Sequence, residues 1–283
     1  MTAMILISLA VLGVIFGSFV NALVWRLHEQ ERRGRKAKSS KGDGLSANDL
    51  SIMRGRSMCP NCHHALLAND LVPVLSWLAL RGKCRYCGRP ISWQYPAVEL
   101  LTGALFALSY AAWPLGLDGA GLFQFVLWLV FVVGFVALTV YDIRWMLLPD
   151  RVVYPLSALA ALQTVVVAVW RGDWAGLYMA LLAAAIIFGL FWGLFQASKG
   201  RWIGGGDVKI AVVLGLLAGT PLHAFLVIFL ASLFGTVGSL PALMRGRKGL
   251  AMHVPFGPYL LLATFVVVLW GDTLVAWYQN LLV

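Results

Sequence analysis

"IAVVLGLLAGTPLHAFLVIFLASLFGTVGSLPALM", residues 210–244, contains no Asp, Glu, Lys or Arg. About 20 apolar residues suffice for an α-helix to cross the hydrocarbon core of a bilayer, so this run is long enough to enter a membrane and turn back. Gly219-Thr220-Pro221 is the turn signal inside it. Splitting there gives two segments, 208–219 and 222–243. Outward from this pair, further apolar runs lie at 4–25, 97–114, 121–142, 151–170, 175–197 and 255–277. The chain reads as an all-α polytopic membrane protein with about eight transmembrane helices. Only 12% of its 283 residues are charged, against about 25% in soluble domains.

The net charge of +10 raises nucleic acid as a partner, and its distribution argues against one. Segment 26–96 holds 13 of the 22 Lys and Arg, and most of the others lie in short gaps between apolar runs. That is the pattern membrane topology leaves. Placing loop 26–96 inside also places 143–150, 198–207 and 244–254 inside. With the adjoining helix ends, these segments carry every Lys and Arg except Arg171. Both termini are then expected outside. No basic residue precedes 4–25, so this run reads as a first permanent span rather than a cleaved signal. Residues 29–57 are basic and rich in Ser and Gly. They read as a solvated linker, the alternative being a surface that leans on anionic lipid.

The four cysteines form two pairs, "CPNC" at Cys59 and Cys62 and "CRYC" at Cys84 and Cys87, with 21 residues between. Two C-x-x-C knuckles at this spacing read as a four-thiolate zinc site. Cytosolic disulfides rarely persist, and a four-cysteine site leaves no open position for catalysis. Its expected task is to fold a small loop domain. Gly88 follows "CRYC" where a knuckle turn calls for positive φ. His63 and His64 read as surface residues.

Two carboxylates stand out on the inner side: Asp142, ending the third span, and Asp207, opening the short sixth span after "RWIGGG". The glycines are expected to form an irregular loop that dips into the membrane and lets a substrate backbone approach. Spacing alone leaves two readings open. The aspartates form an acid–base pair that activates water against a peptide carbonyl, or they are interfacial residues paired with Arg144 and Lys209. A transporter that carries ions on Asp142 and Asp207 is the rival from another class, and a scaffold without chemistry is a third.

These residues also carry a resemblance. "GGGD" (204–207) is similar to the GxGD motif of the type IV prepilin leader peptidases, intramembrane aspartic proteases that also act as N-methyltransferases. "GSFVNALVWRL" (17–27) resembles that family's first-helix signature, residues 57–103 its zinc loop and second helix, "YDIRWMLLPD" (141–150) its first catalytic motif, and "VPFGPYL" (254–260) its last-helix motif. His28 stands where many members have proline.

The resemblance implies Asp142 and Asp207 as the catalytic pair, an active-site loop of Gly204, Gly205, Gly206 and Lys209, and zinc on Cys59, Cys62, Cys84 and Cys87. It implies prepilin or pseudopilin substrates cleaved at the cytosolic face of a bacterial inner membrane. Methylation of the new N-terminus from S-adenosylmethionine would follow; a peptidase without methylation is the near alternative. No nucleotide-binding motif marks the methyl-donor site. Asn21 and Glu99 are its candidates, against a role in helix packing. The expected organisation is a first helix at 1–27, a cytosolic zinc loop at 28–96 and a seven-helix peptidase core at 97–283.

Overall fold

The structure is a computed structural model that describes residues 2–36, 50–52, 55–244 and 255–281. It forms two compact units, Met1–Ala111 and Ala112–Val283.

The first unit holds α1 (Thr2–Lys36), α2 (Leu75–Ala79) and α3 (Gln94–Ala111), with the cysteine knuckles between α1 and α3. α1 and α3 pack closely along one seam. Small residues allow this. A Cβ on Gly17 would stand 2.6 Å from the Glu99 Cα, and one on Gly103 would stand 2.9 Å from the Ala10 carbonyl. Gly13 and Gly17 form a G-x-x-x-G step, the spacing that lets two helix backbones touch in a membrane. The helix after the cysteines, expected to join the later helices, thus has α1 as its partner.

The second unit is a bundle of α4 (Gly119–Trp145), α5 (Asp150–Arg171), α6 (Trp174–Ser198), α7 (Gly205–Ala218), α8 (Pro221–Met244) and α9 (Gly257–Leu281). α7 has only 14 residues, about 21 Å at 1.5 Å per residue. It packs against α5, α6, α8 and α9. Ile210, Ala211, Val213 and Leu214 on it are fully buried. A helix apolar on every side is stable when surrounded by others, so α7 needs no lipid-spanning length. Gly219 caps it at φ 74° and α8 starts at Pro221, the turn read from the sequence.

Among the described residues a helix lies on each expected segment, but they do not show eight membrane crossings. Among the described residues six helices are long and apolar enough to cross a membrane: α1, α4, α5, α6, α8 and α9. Their outward faces carry large apolar side chains such as Ile7, Val126, Leu162 and Phe229, the surface lipid requires.

One local expectation changes. Residues 29–36 are not linker, because α1 continues through them to Lys36. His28 leaves the backbone N–H that a proline would remove, and Glu29 binds Arg32 and Arg33 one turn on. Within the rest of the basic stretch, residues 37–49 and 53–54 lie outside the described residues, as does Val254.

Candidate active site and cysteine cluster

In the second unit the ends of α4, α6 and α8 and the starts of α5, α7 and α9 share one end of the bundle. α4 carries Asp142 there, 6% exposed. The helix stops one turn later, where Met146 turns left-handed (φ 53°) and its N–H donates to the Asp142 carbonyl at 2.8 Å. The Gly257 amide, at the start of α9, hydrogen-bonds to the Asp142 carboxylate. Gly257 has no room for a side chain, since a Cβ would lie 2.6 Å from Asp142 Oδ2.

Asp207 sits in the first turn of α7, half-buried, and its Oδ2 accepts from the Gly204 N–H at 3.3 Å. The charge of Asp142 acts on Asp207. Asp207 thus stands in the first turn of its own helix, where the macrodipole favours negative charge, and Asp142, in the last turn of α4, faces the first amide of α9. Neither is ion-paired among the described residues.

The glycine stretch differs from its expected form. Gly205, Gly206, Asp207 and Lys209 all belong to α7, and Gly204 is its extended N-cap (φ −73°, ψ 147°). None of the three glycines has positive φ. What Gly206 supplies is proximity: a Cβ there would meet the Leu148 Cβ at 2.9 Å. Leu148, in the short link from α4 to α5, thus lies against both Gly206 and Gly257. Sequence reasoning gave it no role.

Lys209 does not pair with Asp207. Its Nζ reaches the two Asp150 oxygens at 2.7 and 2.9 Å and lies over the Tyr154 ring. This ties the first turn of α5 to the turn that carries Asp207. The reading of Asp207 as a partner of Lys209 is thereby removed.

The first unit gathers the cysteines. Their four Sγ atoms all lie within 4.8 Å of one another and could hold a metal ion; no disulfide joins them. The two knuckles repeat one design. Cys59 N–H donates to the His64 carbonyl and His63 N–H to the Cys59 carbonyl; Cys84 N–H donates to the Arg89 carbonyl and Gly88 N–H to the Cys84 carbonyl. Gly88 has φ 67°, as its place required, and His63 occupies the equivalent position at φ 56°. His63 and His64 are exposed and outside the ligand cluster; the His64 ring stacks on Tyr86 instead.

Burial pushes the Cys59 thiol up to about 12. At Cys84 burial also acts upward, but the amides of Cys87 and Tyr86 and the neighbouring sulfurs outweigh it and bring the thiol down to about 7. Asp70 braces the second knuckle, accepting from Arg85 at 2.7 Å, Tyr86 at 2.9 Å and the Leu67 N–H at 3.2 Å.

Asn21 and Glu99 also meet in this unit, both lining one cavity beneath the knuckles. Asn21 Nδ2 donates to the Tyr95 carbonyl at 3.1 Å. Glu99 Oε2 accepts from the Val74 N–H at 2.7 Å.

Two family models match the chain: the bacterial Peptidase A24 N-terminal domain over residues 11–113 and the type IV leader peptidase family over residues 129–240. Among curated relatives, a prepilin leader peptidase/N-methyltransferase of Aeromonas hydrophila is 33% identical over 279 residues, covering 94% of this chain and 91% of that protein. Proteins of the same description from Stutzerimonas stutzeri and Bacillus subtilis (strain 168) are each 34% identical. The alignments cover 95% and 81% of this chain and 91% and 87% of those proteins. No solved structure matches.

Proposed function

The chain belongs to the type IV leader peptidase family, and on that premise we propose that Asp142 and Asp207 are the catalytic pair of a membrane aspartic peptidase. Family membership makes the protein a prepilin leader peptidase with N-methyltransferase activity. The observation that supports the assignment of the pair is the pairing of two carboxylates without a cation. Each is held by a backbone amide at a helix start, and the charge of Asp142 acts on Asp207.

Two such carboxylates do not both ionise readily, so one proton is shared between them and they titrate as a unit. The ionised member takes a proton from water as the water oxygen attacks the scissile carbonyl carbon. The protonated member gives its proton to the carbonyl oxygen. Collapse of the tetrahedral intermediate breaks the C–N bond; the proton taken from water goes to the leaving amine, and a hydroxyl of the new carboxyl group returns its proton to the other aspartate, restoring the shared proton. Gly204 and Gly257 contribute the amides and the space. Leu148 and the Asp150–Lys209 pair fix the approach of α7 to the link after α4.

Substrates are prepilins or pseudopilins, whose basic leader stays on the inner side while the apolar helix lies in the bilayer. The charge distribution supports a cytosolic site and external termini in a bacterial inner membrane. The metal of the cysteine cluster is zinc. A tetrahedral Zn²⁺ with Zn–S of about 2.3 Å sets its sulfurs about 3.8 Å apart, and Cys59 and Cys87 stand 3.9 Å apart. When bound, S-adenosylmethionine supplies the methyl group for the new N-terminal amine.

The test is the intact mass of a prepilin after incubation with the detergent-purified protein and S-adenosylmethionine. Loss of the leader and gain of one methyl group is expected. Asp142→Asn and Asp207→Asn should each leave the leader in place; near-normal cleavage by either variant refutes the pair.

A further inference from the structure

The cavity in the first unit contains two buried polar groups whose bonding is incomplete or unusual. Asn21 is 4% exposed, and among the described residues its Oδ1 has no hydrogen-bond partner. Its orientation is fixed, because the Tyr95 carbonyl can only accept and so must face the amide nitrogen. An acceptor left dry and unpaired costs about 1–3 kcal/mol, so the arrangement suits a donor that arrives from outside the chain.

Glu99 is 6% exposed. It accepts hydrogen bonds from the Val74 amide and the Ser18 hydroxyl, yet among the described residues no cation pairs with it. The two arginines on the cavity wall are committed elsewhere. Arg26 donates to the carbonyls of Ser51, Ile52 and Gly55, and Arg85 binds Asp70. Buried carboxylates ordinarily have a cationic partner.

The backbone here is also held against its preference. Val74, a β-branched residue, has φ 60° and ψ −52°, where such residues are outliers. Its amide points at Glu99, and strain of this kind gathers at ligand clamps. Three aromatic side chains, Trp25, Trp77 and Tyr95, line the same cavity beside aliphatic ones such as Leu66, Leu71 and Leu80. Trp77 is set by its Nε1–H bond to the Ile91 carbonyl.

An unpaired acceptor, a carboxylate without a cation and aromatic faces suit a ligand that is cationic, carries N–H donors and has a flat ring. We propose that this cavity binds the methyl donor, with the Glu99 carboxylate set against the sulfonium and Asn21 Oδ1 accepting from a ligand N–H. The assignment rests on the N-methyltransferase reading of the chain. It explains why a carboxylate, rather than a glutamine, stands at Glu99. Glutamine would satisfy the Val74 N–H equally well; only an anion distinguishes a sulfonium from a thioether. Sulfonium recognition by aromatic faces adds in the same direction. The cavity would therefore prefer S-adenosylmethionine to its neutral-sulfur product S-adenosylhomocysteine, which favours product release.

Equilibrium binding of both compounds to the full-length protein in detergent tests this. Glu99→Gln keeps the hydrogen bond to Val74 and so preserves the fold. It should weaken S-adenosylmethionine about tenfold or more, as expected for loss of a charged partner, while leaving S-adenosylhomocysteine within about twofold. Ala22→Phe, which fills the cavity from α1 without removing a hydrogen bond, should weaken both. Thermal unfolding of each variant reports its fold. Wild-type affinity for S-adenosylmethionine in both variants, with methylation intact in the parent, overturns the cavity and leaves the methyltransferase reading standing. A parent protein that cleaves prepilin but neither binds the donor nor methylates overturns both.

Discussion

Gly257→Ala tests the geometry of the aspartate pair without touching either aspartate. The added Cβ would stand 2.6 Å from Asp142 Oδ2 and 3.3 Å from its Cγ, whereas ordinary contact begins at 3.4 Å. Either the carboxylate or the start of α9 must therefore move by about 0.8 Å. The carboxylate cannot rotate away freely, because it is 6% exposed and the same residue's amide holds it. Leu148 Cδ2 closes a second side at 3.6 Å. A displacement near 1 Å at a reacting group costs about 100-fold in rate, so cleavage should fall about 30- to 100-fold. Gly235→Ala is the control: its Cβ would make ordinary contact with Tyr259 at 3.6 Å and should leave the rate nearly unchanged. The assay is the initial rate of leader removal at saturating prepilin, alongside thermal unfolding. A Gly257→Ala variant that cleaves at the parental rate refutes the placement of Asp142 beside the α9 terminus.

Three further predictions concern the supports of these sites. Lys209→Met removes the bond to Asp150, whose side chains are 40% and 49% exposed; an exposed ion pair is worth at most about 1 kcal/mol. Stability should barely change and cleavage should drop less than about tenfold, since the α7 packing remains; abolished cleavage would give Lys209 a direct chemical role. His63→Gly relieves a left-handed conformation that costs a side-chain residue about 1 kcal/mol and should slow metal loss to a chelator; faster loss refutes the strain assignment. At Asp70 burial raises the carboxyl, but Arg85, Tyr86 and the Leu67 amide outweigh it and hold it below the ordinary range. A carboxyl depressed on folding stabilises above its unfolded value, near 4, and loses that contribution as pH falls through the folded value. The melting-temperature gap between the parent and Asp70→Asn should therefore be full at pH 7 and shrink below about pH 4; a gap that widens on acidification contradicts the assignment.

The fold was legible where composition decides it. Uncharged runs mark helices whatever they pack against, and Gly219-Thr220-Pro221 marks a turn locally. The cysteine cluster was legible because its ligands come in fixed local spacings, and Gly88 because one turn type demands it. Three features were not. The start of α7 at Gly205 was hidden because consecutive glycines signal a loop, and only the packing of Gly206 on Leu148 reveals them as a close helix contact. The partner of Lys209 was hidden because Asp150 is distant in sequence. The union of α3 with α1 had a visible signal, the Gly13-x-x-x-Gly17 step, but that step names a close contact without naming the partner.

The same physical device recurs at the three carboxylates that matter. Glu99, Asp142 and Asp207 each accept from a backbone amide, of Val74, Gly257 and Gly204 respectively. For Glu99 and Asp142 a glycine admits the neighbouring backbone, Gly17 on α1 and Gly257 on α9. A cation could have satisfied each carboxylate, and at Asp150 and Asp70 one does. An ion pair stabilises the charge but also spends it, because a carboxylate bound to Lys or Arg neither takes a proton readily nor attracts a cationic ligand. An amide stabilises the carboxylate in place and leaves its other oxygen free to act. At these buried positions the difference is one that spacing cannot express, because the deciding neighbour is a backbone N–H, which every residue but proline carries.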